Sequence, residues 1–249
     1  MKRLIGIYVF ILLHISCKMT HKTVNPSFFK EGKIVFETSP SVTDEGKKQL
    51  ENHFDSLVNI LANKAAADSN QMLKRSDIMA FKNMVLSDIL DAKKASLTIK
   101  VNGDNIWRYR QEEGQTYIKC ERIGKNDGFL HYYSYPDTIT ERNPYFKLFQ
   151  SKTEYTIQID KQQRKKILRY DCYKVILIQK EGEQDNDVPI SLGDTVFEMF
   201  VTDDILIPAH SVYNFGQFFS FFPLEIVTYG SNIKGLKDIY KVKSIDQDK

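Results

Sequence analysis

The sequence is poor in cysteine. Only Cys17, Cys120 and Cys172 occur among its 249 residues, and no two of them stand in a CxxC or zinc-ligand spacing. Neither thioredoxin-type chemistry nor a structural zinc site therefore has support. Charge of one sign is not in excess either, since 35 lysines and arginines face 32 aspartates and glutamates. The two signs interleave along the chain, where a nucleic-acid binder would carry a basic stripe, so no nucleic-acid partner is expected. The one dense basic cluster, Lys161, Arg164, Lys165 and Lys166, falls between two strand-like stretches and reads as a solvated hairpin end. Catalytic signatures are missing: there is no GxSxG elbow, Walker A loop, GxGxxG or HExxH. His21, His53, His131 and His210 are scattered without metal-ligand spacing, and Asp203-Asp204 reads as a turn between strands. No cofactor or metal is expected. Hydrolase or transferase chemistry has no motif behind it, and the chain is read as a non-enzyme.

Long hydrophobic runs are lacking too. The one apolar run at the N-terminus, residues 4–15, follows Lys2 and Arg3 and is interrupted only by Gly6, Tyr8 and His14. A helix of that length rises about 18 Å, short of the ~30 Å hydrocarbon core of a bilayer, so the segment reads as a signal peptide and not as a span. It ends at His14-Ile15-Ser16-Cys17, which resembles a bacterial lipobox. The resemblance implies removal of residues 1–16, diacylation of the Cys17 sulfur and a membrane partner reached through that lipid. Two acyl chains exceed the single-chain threshold for stable anchoring. No acidic residue directly follows Cys17, which by resemblance to envelope sorting rules favours the outer membrane, facing the periplasm. Residues 17–30 then form a lipidated N-terminus and tether, and residues 31–249 a single β-rich domain.

What is present beyond the tether is periodicity. Residues 32–37 alternate as a first strand. Thr43 can cap a helix, Asp44 and Glu45 suit its first turn, and Leu50, Phe54, Leu57 and Leu61 form an apolar stripe. Ile78, Phe81, Val85 and Ile89 repeat the stripe in a second helix, and stripes of this width usually pack on a sheet. From Ala95 onward the period changes to two. Strands are expected at 96–101 and 106–110 around an Asn102-Gly103-Asp104 turn, then at 115–122, 129–135, 154–159, 166–179, 195–202, 224–229 and 239–245. Short strands separated by turns indicate a large, mostly antiparallel sheet.

Three segments in order carry a family resemblance: Lys166-Ile167-Leu168-Arg169-Tyr170-Asp171-Cys172-Tyr173-Lys174-Val175, Glu198-Met199-Phe200-Val201-Thr202-Asp203-Asp204-Ile205 and Phe222-Pro223-Leu224-Glu225-Ile226. With the opening Gly32-Lys33-Ile34-Val35-Phe36-Glu37, they resemble the GLPGLI-type and related uncharacterised envelope proteins. Such families look like the LolA-like lipoprotein-sorting fold. The resemblance implies an α+β domain in which a large, curved, mostly antiparallel sheet forms an incomplete barrel with two helices packed on its concave side. It also implies an apolar concavity able to accept acyl chains.

Two functions follow as expectations. One is an anchored periplasmic lipoprotein that binds a lipid, an acyl chain or another apolar ligand in the concavity. The other is a structural or interaction module of the envelope, with a self-filled core and an envelope protein as partner. The sharpest local feature is a crowd of phenyl rings, Phe215, Phe218, Phe219, Phe221 and Phe222. In a strand these rings point to both faces, so one packed face cannot bury them all. Phe218, Phe219, Phe221 and Phe222 are therefore candidate groove residues, the alternative being ordinary core. Cys120 and Cys172 either pair as a disulfide in an oxidising periplasm or stay as two separate buried thiols.

Overall fold

The computed structural model describes residues 29, 31–67, 75–115, 118–123, 129–135, 146–147, 154–180, 193–215 and 219–247. Strand β1 (Glu31–Val42) leads into helices α1 (Asp44–Ala67) and α2 (Arg75–Leu90). Ten strands follow: β2 (Ala95–Asn102), β3 (Asn105–Glu112), β4 (Ile118–Ile123), β5 (Phe129–Tyr135), β6 (Phe146–Lys147), β7 (Tyr155–Ile167), β8 (Tyr170–Gln179), β9 (Thr195–Thr202), β10 (Phe222–Gly230) and β11 (Ile233–Gln247). All eleven belong to one antiparallel sheet in the order β6-β5-β4-β3-β2-β1-β11-β10-β9-β8-β7. Among the described residues no pairing joins β6 to β7, so the sheet is open. Its two halves are chain-local meanders, and β1 pairing with β11 welds them together.

Alternation in the strands decides which face is buried. Ile34 and Phe36 of β1, Leu97, Ile99 and Val101 of β2, Phe197, Met199 and Val201 of β9, and Phe222, Leu224 and Ile226 of β10 all lie in one apolar cluster. Each fully buried side chain of this kind contributes about 1.5–3 kcal/mol. The β2–β3 hairpin closes through Gly103 and Asp104, with Gly103 at φ +60, the geometry a type II′ turn requires of its first central residue.

The basic cluster is not the hairpin end that its charge suggested. Strand β7 runs through it, with a bulge between Asp160 and Arg164, and the chain reverses instead at Leu168 and Arg169. The reason is local: the Asp160 carboxylate accepts hydrogen bonds from the backbone N–H groups of Gln162 and Gln163, at 2.9 and 3.1 Å. That accommodates the extra residues without ending the strand.

Both helices lie on the buried, inner face, but only over one end of it. Leu50, Phe54 and Leu57 of α1 and Leu86 of α2 close on Ile233 beside the β10–β11 turn, and Leu61, Val85, Ile89 and Leu236 pack around them. Lys82 pairs with Asp55 between the helices. The expected α2 stripe is corrected at one position: Phe81 is 51 % exposed, and Leu86 takes the inward place.

The start of α1 is fixed by a backbone crossing. Thr43 Oγ1 accepts the Gly46 N–H at 3.0 Å, as a helix cap does, and the Thr43 N–H donates to the Gly235 carbonyl of β11 at 2.9 Å. A Cβ on Gly46 would stand 2.5 Å from the Gly235 carbonyl carbon, and one on Gly235 would stand 2.6 Å from the Gly46 Cα. Neither backbone can yield. Gly235→Ala is expected to lift α1 from β11 and to destabilise the domain by about 2 kcal/mol, read as a lower urea midpoint. An unchanged midpoint would show that the crossing is loose.

Candidate functional site

The connection from β9 to β10 crosses the inner face. Within residues 203–215 and 219–221, Ile205, Ile207, Ala209, Val212, Phe215, Phe219 and Phe221 are buried in the sheet's apolar cluster. This strap begins with the Tyr173 hydroxyl donating to Asp203 Oδ1 at 2.7 Å. It tightens into a 3₁₀ turn at Ala209–Ser211, where Ser211 Oγ donates to the Pro208 carbonyl at 2.7 Å. It then reaches β3, four strands beyond β10 in the sheet.

On β3, alternation puts Arg108 and Arg110 on the same face as the core residue Ile106. Arg108 is buried and stands opposite Glu121 of β4, itself buried, and the two form an ion pair. The Arg108 guanidinium also donates to Asn214 Oδ1 at 2.8 Å and to the Val212 carbonyl at 3.4 Å, tying the strap to the sheet. A buried guanidinium whose donors meet a carboxylate and two oxygens is a satisfied one.

Beside this latch the inner face is not filled. A cleft of about 310 Å³ is lined by Leu97, Arg108, Arg110 and Glu121 from the sheet, Val212, Tyr213 and Asn214 from the strap, and Tyr240 from β11. A second cleft of about 160 Å³ shares Arg110 and Tyr240 and extends to Asp88 and Lys93, near the end of α2, and to Asp238. Tyr213 and Tyr240 meet edge to face, with centroids 5.8 Å apart. Burial pushes both phenols above their ordinary range, while Arg110 pulls back on Tyr240, so both are neutral hydroxyls at neutral pH. Desolvation raises the Asp238 carboxyl and Arg110 opposes that rise.

The phenyl crowd lies elsewhere. Phe219 stacks on Phe221 at 5.3 Å and meets Phe215 and Tyr155 edge-on at 5.5 and 5.6 Å, while Phe222 packs on Phe36 at 6.3 Å. Phe219, Phe221 and Phe222 are buried and line neither cleft. The second apolar layer that they need is supplied by the domain itself. Phe218 and Cys17 lie outside the described residues. Cys120 on β4 and Cys172 on β8 are both buried free thiols, seven strands apart in the sheet, so the pair does not form a disulfide here. Burial raises both thiols, Cys172 to about 12, which leaves them unreactive.

Sequence reasoning missed Arg108, Arg110, Glu121, Tyr213, Asn214 and Tyr240. A signal existed for two of them, since the alternation that makes Ile106 a core residue puts Arg108 and Arg110 on the same face. Among the described residues no group of three His, Cys, Asp or Glu side chains could hold a metal ion, and no helix is long and apolar enough to cross a membrane.

No family model matches the chain, the GLPGLI-type resemblance included, and no curated protein matches it. Among solved structures, the crystal structure of a LolA superfamily protein from Nitrosomonas europaea aligns with 88 % of this chain and 87 % of that one, at 8 % identity and a TM-score of 0.32. A likeness at that TM-score is too distant to assign fold or function, and the open antiparallel architecture rests on its own strand pairing.

Proposed function

We propose that the chain is a non-enzymatic binding protein of the cell envelope, exported by residues 1–16 and held on the outer membrane, facing the periplasm, through an acylated Cys17. Its open antiparallel sheet takes a lipid, an acyl chain or another largely apolar ligand on its inner face. The observation that carries this reading is the cleft between the strap and β2–β4, where the inner face is left unfilled. Its volume, about 310 Å³, is at the lower end of ligand pockets, roughly 300–1,000 Å³. It has room for one chain or a small amphiphile, with Leu97, Val212 and the two phenol rings as apolar wall.

Binding of a fluorescent fatty acid to the purified protein, together with extraction of co-purified lipid, tests the ligand. The packing of Phe215, Phe219, Phe221 and Phe222 favours a second reading, an interaction module whose core is its own, and that reading expects neither uptake nor extracted lipid. The anchor is tested separately. Cells fed a clickable fatty acid are expected to label the wild-type protein and not Cys17→Ala, and an unlabelled wild type removes the lipoprotein assignment.

A further inference from the structure

The two arginines of the cleft differ in what they hold. Arg108 is occupied by Glu121, Asn214 and the Val212 carbonyl. Arg110, on the same face of the same strand, has one carboxylate among the described residues within ion-pair distance, Glu112, at 3.5 Å. That pair is 39 % and 41 % exposed, so water screens it and it holds the guanidinium weakly. Arg110 also stands where the two clefts join, beside the Tyr240 phenol. Glu112 also lines the second cleft, and two further acidic groups face Arg110 there, Asp88 and Asp238, with Lys93 of the same cleft opposing them. Among the described residues that line the larger cleft, the only carboxylate is Glu121, which Arg108 neutralises. A ligand head there meets a planar fork of donors and a neutral hydroxyl, above a wall of Leu97 and Tyr213.

We infer that Arg110 is a head-group receptor and that the cleft selects an anionic amphiphile, an apolar chain ending in one carboxylate or phosphate, over a neutral chain of the same length. This rests on the binding reading above and adds the chemistry of the ligand. Guanidinium and oxyanion form the charge-assisted fork that favours arginine at such sites, and a neutral ester or alcohol cannot complete it.

The test is displacement of a fluorescent fatty acid from the full-length protein by dodecanoate, dodecyl phosphate, methyl dodecanoate and inorganic phosphate. Dodecanoate or dodecyl phosphate is expected to compete about tenfold better than the ester. Arg110→Gln should erase that preference while leaving ester binding in place, and Arg110→Lys should restore part of it. Glu112→Gln, which removes the competing carboxylate, should tighten dodecanoate binding, so a folded variant with gained affinity supports the same assignment. Acid and ester competing equally in the wild type would overturn the inference and leave the binding reading standing. Inorganic phosphate competing as well as dodecyl phosphate would also overturn it, in favour of a free-anion site. Failure of every amphiphile, the fluorescent probe included, would remove the binding reading itself.

Discussion

Phe222→Ala is expected to destabilise the domain by about 3 to 5 kcal/mol. Phe222 opens β10 opposite Thr202 of β9, is fully buried and packs on Phe36 of β1, two strands away. Its ring therefore joins the two meanders that the β1–β11 pairing welds. The neighbouring strands are held by their ladders and cannot close on the space left, so the cost includes the cavity as well as the lost transfer free energy. Urea unfolding of wild type and variant measures it. A groove residue would behave in the opposite way, with folding intact and fatty-acid uptake weakened, and that pair of results would return Phe222 to the ligand site.

Arg108→Ala is the second large effect. Removing one partner of a buried pair leaves the other charge unpaired, at a cost of about 3 to 5 kcal/mol. Here Glu121 would be left on the inner face while Asn214 and the Val212 carbonyl lose their donor. The double variant Arg108→Met with Glu121→Leu is expected to recover most of that loss, because it removes the uncompensated charge and its desolvation cost together. It does not restore the tie to the strap. Hydrogen exchange at residues 212–215 should therefore be faster than wild type in both variants, even where global stability has returned. A single-variant loss below about 1 kcal/mol would mean that the pair is solvated, and unchanged exchange would mean that the strap is held by its apolar residues alone.

Much of the secondary structure was legible because its causes are local. Thr43, Asp44 and Glu45 mark a helix start from the chemistry of unsatisfied N–H groups, and α1 begins at Asp44. Alternation marked β9 at its observed bounds, and Gly103 marked the β2–β3 turn. The errors came where a neighbour, or a competing local bond, decided. Phe81 belongs to the stripe that period 3.6 draws on α2, yet α1 meets that helix along a line that leaves Phe81 outside. The basic residues after Asp160 look like a turn by charge, and the Asp160 carboxylate folds them into a bulge instead.

For the site, the sequence by itself determined that Ile106, Arg108 and Arg110 share a face, because a strand's side chains alternate whatever surrounds them. It also determined that the phenyl rings near Phe222 need two apolar surfaces. Only the tertiary structure decided which groups complete these demands. Glu121 lies 13 residues from Arg108 and Asn214 lies 106 residues from it, and those separations are closed by sheet register and by the path of the strap. Local pattern fixes the direction in which a side chain points. What it meets there depends on long-range pairing, and that is why the rings found partners inside the domain while Arg110 was left facing an open cleft.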